Sequence, residues 1–246
     1  LQFGNPDALA NPSLATWGTV AIAGPVEPSS FTPATKSFEI YANQVDINAQ
    51  IGAFNALPVS IGAHARTDIN VGTSTNTNLR LGTGRTLTLV ADADGDGKGN
   101  LNIGGGTGFV NLTFDTAATA SNINLGGVDV LLRNSMNVFQ VGAGTLAINA
   151  EGDVRLTSAD QGFLNVGAQG LTSITAQGNV TVESLGGGTA QIAGDFSKNR
   201  GSLLMGIQGD LVLTNAAVTN SAATLNSFEG QTIRARSIRM VGANGG

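Results

Sequence analysis

Apolar residues along most of the chain come in short bursts at alternate positions. Phe38 and Ile40, Val45 and Ile47, Val59 and Ile61, and Ile69 and Val71 begin the series. Leu79 and Leu81, Leu87 and Leu89, Leu101 and Ile103 continue it, followed by Val110, Leu112 and Phe114, then Ile123 and Leu125, then Val128, Val130 and Leu132. Period-two alternation puts each set on one face of a strand. Gly, Asn, Asp, Ser and Thr separate the bursts, and these residues suit tight turns and left-handed backbone. No convincing run carries apolar residues at i, i+3, i+4 and i+7, so the pattern predicts many short strands and minimal helix.

Larger units recur between residues 138 and 184. One reads Val138-Phe139-Gln140-Val141-Gly142-Ala143, then Leu146-Ala147-Ile148, then Ala150-Glu151-Gly152-Asp153-Val154-Arg155-Leu156. The next reads Phe163-Leu164-Asn165-Val166-Gly167-Ala168, then Leu171-Thr172-Ser173-Ile174, then Ala176-Gln177-Gly178-Asn179-Val180-Thr181-Val182. Val128, Val154 and Val180 are each 26 residues apart, and Leu211 follows after 31. The lengthening falls around 186–199, a natural loop insertion.

A unit of three short strands cannot bury its own apolar face, whereas a stack of such units can. The expectation over residues 36–246 is an all-β fold, a parallel β-helix (β-solenoid) with three strands per rung. Equivalent strands would pair from rung to rung at about 4.8 Å. Val, Ile, Leu and Phe would point inward, and outward polar side chains would stack into ladders along the axis. Roughly eight to nine coils would make a body about 40 Å long. An antiparallel sandwich or barrel has hairpin spacings in the same range, but it would not be expected to repeat the same three-part layout.

Residues 1–35 differ. They hold five of the six prolines, Pro6, Pro12, Pro25, Pro28 and Pro33. Proline cannot donate to a strand ladder and forces its predecessor to be extended. This stretch reads as an extended arm or irregular cap, with a disordered linker as the alternative. Trp17, the only tryptophan, lies there near Leu14, Val20 and Ile22. It is expected to pack on the first rung or on a neighbouring subunit.

Composition narrows the function. Of 246 residues, 41% are hydrophobic and 12% charged, too apolar for a disordered chain. The net charge is -5 with 12 Lys and Arg, which argues against a nucleic-acid partner. Arg234, Arg236 and Arg239 make a small basic patch, read as the solvated face of a strand. With no cysteine there is no disulfide framework, thiol nucleophile or Cys-based metal site. No run reaches the ~18 apolar residues of a membrane span, and no secretory leader opens the chain. If exported, it is expected to be a mature form or an internal fragment.

The layout Ala-x-Gly-[Asp/Asn]-Val-x-[Leu/Val] at 150–156 and 176–182, its variant at 208–213, and the rung Ala42-Asn43-Gln44-Val45-Asp46-Ile47-Asn48-Ala49 carry a resemblance. They resemble the repeats of filamentous-haemagglutinin-like, two-partner-secretion exoproteins, over roughly 36–246. Autotransporter passenger domains look alike at this level. The resemblance implies a right-handed β-helix, secreted to the cell surface or beyond, acting as adhesin or fibre rather than as enzyme. Such exoproteins usually begin with a secretion domain bearing an Asn-Pro-Asn-Gly type turn, of which Gly4-Asn5-Pro6-Asp7 is a faint echo. Residues 233–241 read as a rung still in progress with no capping helix. That pattern predicts a longer solenoid cut short or head-to-tail self-association, with the arm crossing the junction in the second case. Host or surface glycans are the other expected partners.

Candidate chemistry is sparse. Asp92, Asp94 and Asp96 alternate and lead to Gly97, Lys98 and Asn100. This resembles the start of a calcium loop, with three carboxylates, the Lys98 carbonyl and Asn100 as hard oxygen ligands. Ile103 stands where such a loop has its bidentate Glu, and no helices flank it. A Gly/Asp-rich surface loop between rungs is the alternative. No other cofactor is expected. The glycine runs 104–108 and 186–188 lack the helix and Lys of a phosphate loop and read as turns. His64 is the only histidine, so any Ser-His-Asp arrangement must use it. Its surroundings read as an outward strand or corner position, and no catalytic residue is assigned. The competing function is a carbohydrate-binding or polysaccharide-cleaving β-helix, which would show an exposed aromatic or carboxylate row on one face.

Overall fold

The computed structural model describes residues 1–10, 17–32, 35–52, 55–73, 76–105, 109–114, 121–133, 136–140, 144–158, 162–194, 200–216 and 221–242. Leu14, 141–143 and the end of the 186–199 insertion lie outside them. The fold is all-β, with 61% strand and 3% helix, and its parallel sheets stack as a β-solenoid of about 7 turns.

Three faces build each turn. The first runs through the front half of Ser37–Ile47, then Ser60–Ala65, Thr86–Val90, Asn122–Gly127, Thr145–Ala150, Leu171–Ala176, Ser202–Ile207 and Gly230–Arg234. The second uses the back half of Ser37–Ile47, then Ile69–Val71, Leu101–Ile103, Val130–Arg133, Val154–Ser158, Val180–Ser184, Asp210–Asn215 and Ser237–Gly242. The third takes Gln50–Ile51, Thr77–Leu81, Val110–Phe114, Met136–Gln140, Phe163–Ala168, Thr189–Ala193 and Ala222–Asn226.

Alternation in sequence becomes continuous apolar rows in space. On the second face Val45, Ile69, Leu101, Val130, Val154, Val180, Leu211 and Ile238 stand in one register. On the first, Ile40, Ala63, Leu89, Leu125, Ile148, Ile174, Met205 and Ile233 do so. On the third the row is Ile51, Leu79, Leu112, Val138, Val166, Ile192 and Leu225. Most of these side chains are fully buried in one continuous core. Each such burial contributes about 1.5–3 kcal/mol.

Two expectations need correction. Val154 pairs with Val130, not with Val128. Asp129 takes the corner position before the strand, so Val128 falls in the turn. The coil count is also lower than eight to nine, because the repeat is uneven. Neighbouring turns are 24 residues apart at Val45 to Ile69 but 32 at Ile69 to Leu101, where the 92–100 loop is inserted.

The N-terminal stretch lies on the outer edge of the first rung. We label Gln2–Phe3 β1, Asp7–Ala10 α1, Trp17–Ile22 β2 and Ser37–Ile47 β3. β1 pairs with the front of β3, β2 with its back half, and Val26 bridges to Ile51 on the third face. Phe3 and Phe31 pack edge-on against Phe38, with ring centroids at 5.6 and 5.8 Å.

Candidate functional site

The corner between the first and second faces carries a polar ladder. Asp68, Asn100, Asp129, Asp153 and Asn179 each precede a second-face strand, and Asp210 opens one. The side-chain oxygen of each of the first five accepts the backbone N–H of its counterpart one rung on. The distances are 2.8 Å (Asp68–Asn100), 3.1 Å (Asn100–Asp129), 2.7 Å (Asp129–Asp153), 2.7 Å (Asp153–Asn179) and 2.9 Å (Asn179–Asp210). The ladder explains the glycine of the repeated Gly-Asp/Asn pair. A Cβ at Gly178 would lie 2.1 Å from Asp153 Oδ1 and 2.8 Å from the Gly152 carbonyl oxygen. Glycine is the residue that leaves the incoming carboxylate room.

The 92–100 loop springs from this corner. Asp92 is buried and holds a positive φ of 53°. Its Oδ1 accepts the amides of Asp96 (3.0 Å) and Lys98 (3.4 Å), and its Oδ2 accepts that of Gly97 (3.2 Å). Asp96 accepts the Lys98 amide at 3.0 Å and pairs with the Lys98 ammonium at 2.8 Å. That hydrogen bond holds the Asp96 carboxyl below its ordinary range and raises Lys98. Asp94 Oδ2 lies 3.6 Å from Arg66 Nε, and Arg66 also donates to the Ala8 carbonyl of α1.

The loop therefore brings Asp92, Asp94 and Asp96 together, with ligand oxygens within 4.8 Å of one another. Asn100 belongs instead to the corner ladder. The trio is a hard-oxygen donor set of the kind calcium takes, and Asp94 Oδ1 is buried without a hydrogen bond. A cation entering here competes with Lys98 for Asp96 and with Arg66 for Asp94.

His64 sits outward on the first face. It stacks on Tyr41 with ring centroids 5.0 Å apart, and its Nε2 lies 3.7 Å from Glu39 Oε2. Burial pushes the His64 pKa down and Glu39 partly opposes this. Burial, then Glu39, raises Tyr41. Among the described residues no hydroxyl nucleophile is hydrogen-bonded to His64.

The third face shows a feature the sequence reading missed. Asn78, Asn111, Asn165 and Gln191 point outward in one register, which passes through the backbone of Asn137. Gln191 Nε2 donates to Asn165 Oδ1 at 3.3 Å. Phe109 and Phe163 sit outward beside this row, two rungs apart, 37% and 41% exposed. The signal was the echo between Phe109-Val110-Asn111 and Phe163-Leu164-Asn165.

The C-terminal edge is open among the described residues. Ile238 and Met240 stand in the inward rows, yet are 55% and 82% exposed. With Leu211, Leu213, Leu225 and Ile233 they line a cavity of about 550 Å³. Arg236 at this edge pairs with Asp210 at 2.9 Å, which depresses the Asp210 pKa.

Fold and site define a parallel β-solenoid, a β-helical repeat protein. No protein-family model, curated protein or solved structure matches the chain. Among the described residues no helix is long and apolar enough to cross a membrane.

Proposed function

We propose that the chain is a module of a filamentous-haemagglutinin-like exoprotein, working outside the cell or on a bacterial surface as a stiff structural or adhesive rod. The observation that carries this reading is the unbroken registration of the three apolar rows with the corner ladder. From the rung of Asp68 to that of Asp210, each rung is locked to the next by backbone pairing, core contact and a side-chain hydrogen bond. Such a stack resists bending and displays regular polar faces. The Ala-x-Gly-[Asp/Asn] repeats, whose glycine and Asx serve that ladder, supply the family reading. Antibody labelling of intact producing cells tests the location. Signal before permeabilisation is expected, and signal only after permeabilisation contradicts the proposal.

A second reading, glycan contact, is favoured by the third face. Its described outward positions place amides beside the exposed rings of Phe109 and Phe163, and its strands contain no Asp or Glu. Amides hydrogen-bond hydroxyls and rings pack on apolar sugar faces, so this surface suits binding of a neutral polysaccharide rather than cleavage. Phe163→Ala should weaken retention on a neutral glycan column. Equal retention of the wild type and the variant counts against it.

A further inference from the structure

We infer that the third face binds an extended β-1,4-linked neutral glycan laid along the solenoid axis, with Phe109 and Phe163 under alternate sugars. The inference rests on the reading of this face as a surface for neutral glycans, and it names the linkage and the direction of the bound chain. Matching lengths carry it. Phe109 and Phe163 stand two rungs apart in one outward row, 37% and 41% exposed. Two rungs advance about 10 Å, close to one disaccharide repeat of a cellulose-type ribbon. Each sugar of such a ribbon is turned over relative to the last, so sugars two apart present the same apolar face to the same side. An aromatic ring packs flat on a face of that kind. An α-linked chain coils and does not keep this straight match.

The amides have the corresponding pitch. Asn111 and Asn165 follow the two rings by two residues, on the same outward surface. Asn78 and Gln191 extend their row one rung beyond each ring. One rung advances about 5 Å, nearly one sugar of the ribbon, so hydroxyls along one edge of the glycan meet the amide row in step. Rung-to-rung hydrogen bonds hold both rings in place. The Phe109 amide donates to Asn76 Oδ1 at 2.7 Å, and its carbonyl accepts the Thr77 amide at 2.9 Å. Phe163 pairs with Thr189, whose amide donates to the Gly162 carbonyl at 2.8 Å. The ring spacing is thus set by the strand ladder before a ligand arrives, which lowers the ordering cost of binding. Arg80 is the one ionisable residue in the strands of this face, too little charge to prefer the carboxylates or sulfates of an acidic glycan.

Calorimetric titration of the 246-residue protein with cellobiose, cellotriose and cellotetraose tests this, with maltotetraose as the α-linked control built from the same sugar. Three sugars are the fewest that cover both rings, so the triose and tetraose should bind at least about tenfold tighter than cellobiose. Maltotetraose should bind at least about tenfold more weakly than cellotetraose. Phe109→Ala and Phe163→Ala should each abolish the gain with length, yet leave cellobiose binding within about threefold, since one ring remains. Retained cellobiose binding also shows that the variant is folded. A gain with length that survives in both variants, or equal affinity for maltotetraose and cellotetraose, would overturn the inference and leave the broader neutral-glycan reading standing. If none of the four sugars binds, both fall.

Discussion

Removing one carboxylate from the corner ladder should cost more than its position near the surface suggests. Asp153 Oδ1 accepts the Asn179 amide at 2.7 Å, in a half-buried turn where the neighbouring rungs exclude water. Asp153→Ala leaves that N–H without its acceptor. A hydrogen bond to a charged acceptor, with its donor then stranded, is worth about 2 kcal/mol. For a chain of this size that is roughly 4–8 °C in Tm. Asp153→Asn keeps an oxygen in place and should cost under about 1 kcal/mol. Gly178→Ala adds a second handle, because its Cβ would meet Asp153 Oδ1 at 2.1 Å. In the double variant that clash is gone, so the two costs should sum to more than the double variant shows. Urea midpoints for the four chains supply the cycle. Equal losses for Asp153→Ala and Asp153→Asn, or strict additivity with Gly178→Ala, would refute the reasoning.

Three further outcomes follow from single sites. Thr172 stands in an inward row between Leu146 and Leu203, buried with no hydrogen bond to its hydroxyl among the described residues. Thr172→Val should therefore stabilise the fold by about 1 kcal/mol in urea titration, and a loss would show that the hydroxyl has a partner. His64 has a folded pKa below the ordinary value of 6.5, so the unfolded chain binds its proton first as pH falls. Its contribution to stability is complete above pH 6.5 and is lost as pH drops below that value towards the folded pKa. His64→Gln should flatten this slope, and an imidazole midpoint above 6.5 by NMR would reverse the argument. In the 92–100 loop Lys98 and Arg66 already face Asp96 and Asp94. Chelator should leave Tm unchanged, whereas Lys98→Ala should raise calcium affinity measured by calorimetry. A fall in Tm with chelator would show that the loop needs its cation.

Period-two alternation made the strands legible, because the apolar set can lie on one face in only one way. Register was harder to read. Val128 is apolar and correctly spaced by count, yet Asp129 claims the corner, since only an Asx oxygen reaches the next rung's amide. Leu171 misleads likewise. It is exposed at the strand's start while Thr172 takes the inward place. The local trio Asp92, Asp94 and Asp96 was readable because two-residue spacing in a tight loop keeps the carboxylates close. Arg66 was not, because it reaches Asp94 from an adjacent rung 28 residues earlier. Phe109 and Phe163 lie 54 residues apart in sequence, and only the stacking of turns makes them neighbours on one face.

The central claim is that equivalent residues climb one axis by a constant step. Pulsed electron–electron distance measurement on the second face tests it most directly. Asp46, Arg155 and Arg239 share one outward row, with Arg155 four rungs from Asp46 and Arg239 seven. At about 4.8 Å per rung, spin labels at 46 and 155 should lie about 19 Å apart, and labels at 46 and 239 about 34 Å apart. Distances growing in that four-to-seven ratio are the expected result. A 46–239 distance equal to or shorter than 46–155, as an antiparallel sandwich folding back on itself would give, contradicts the account.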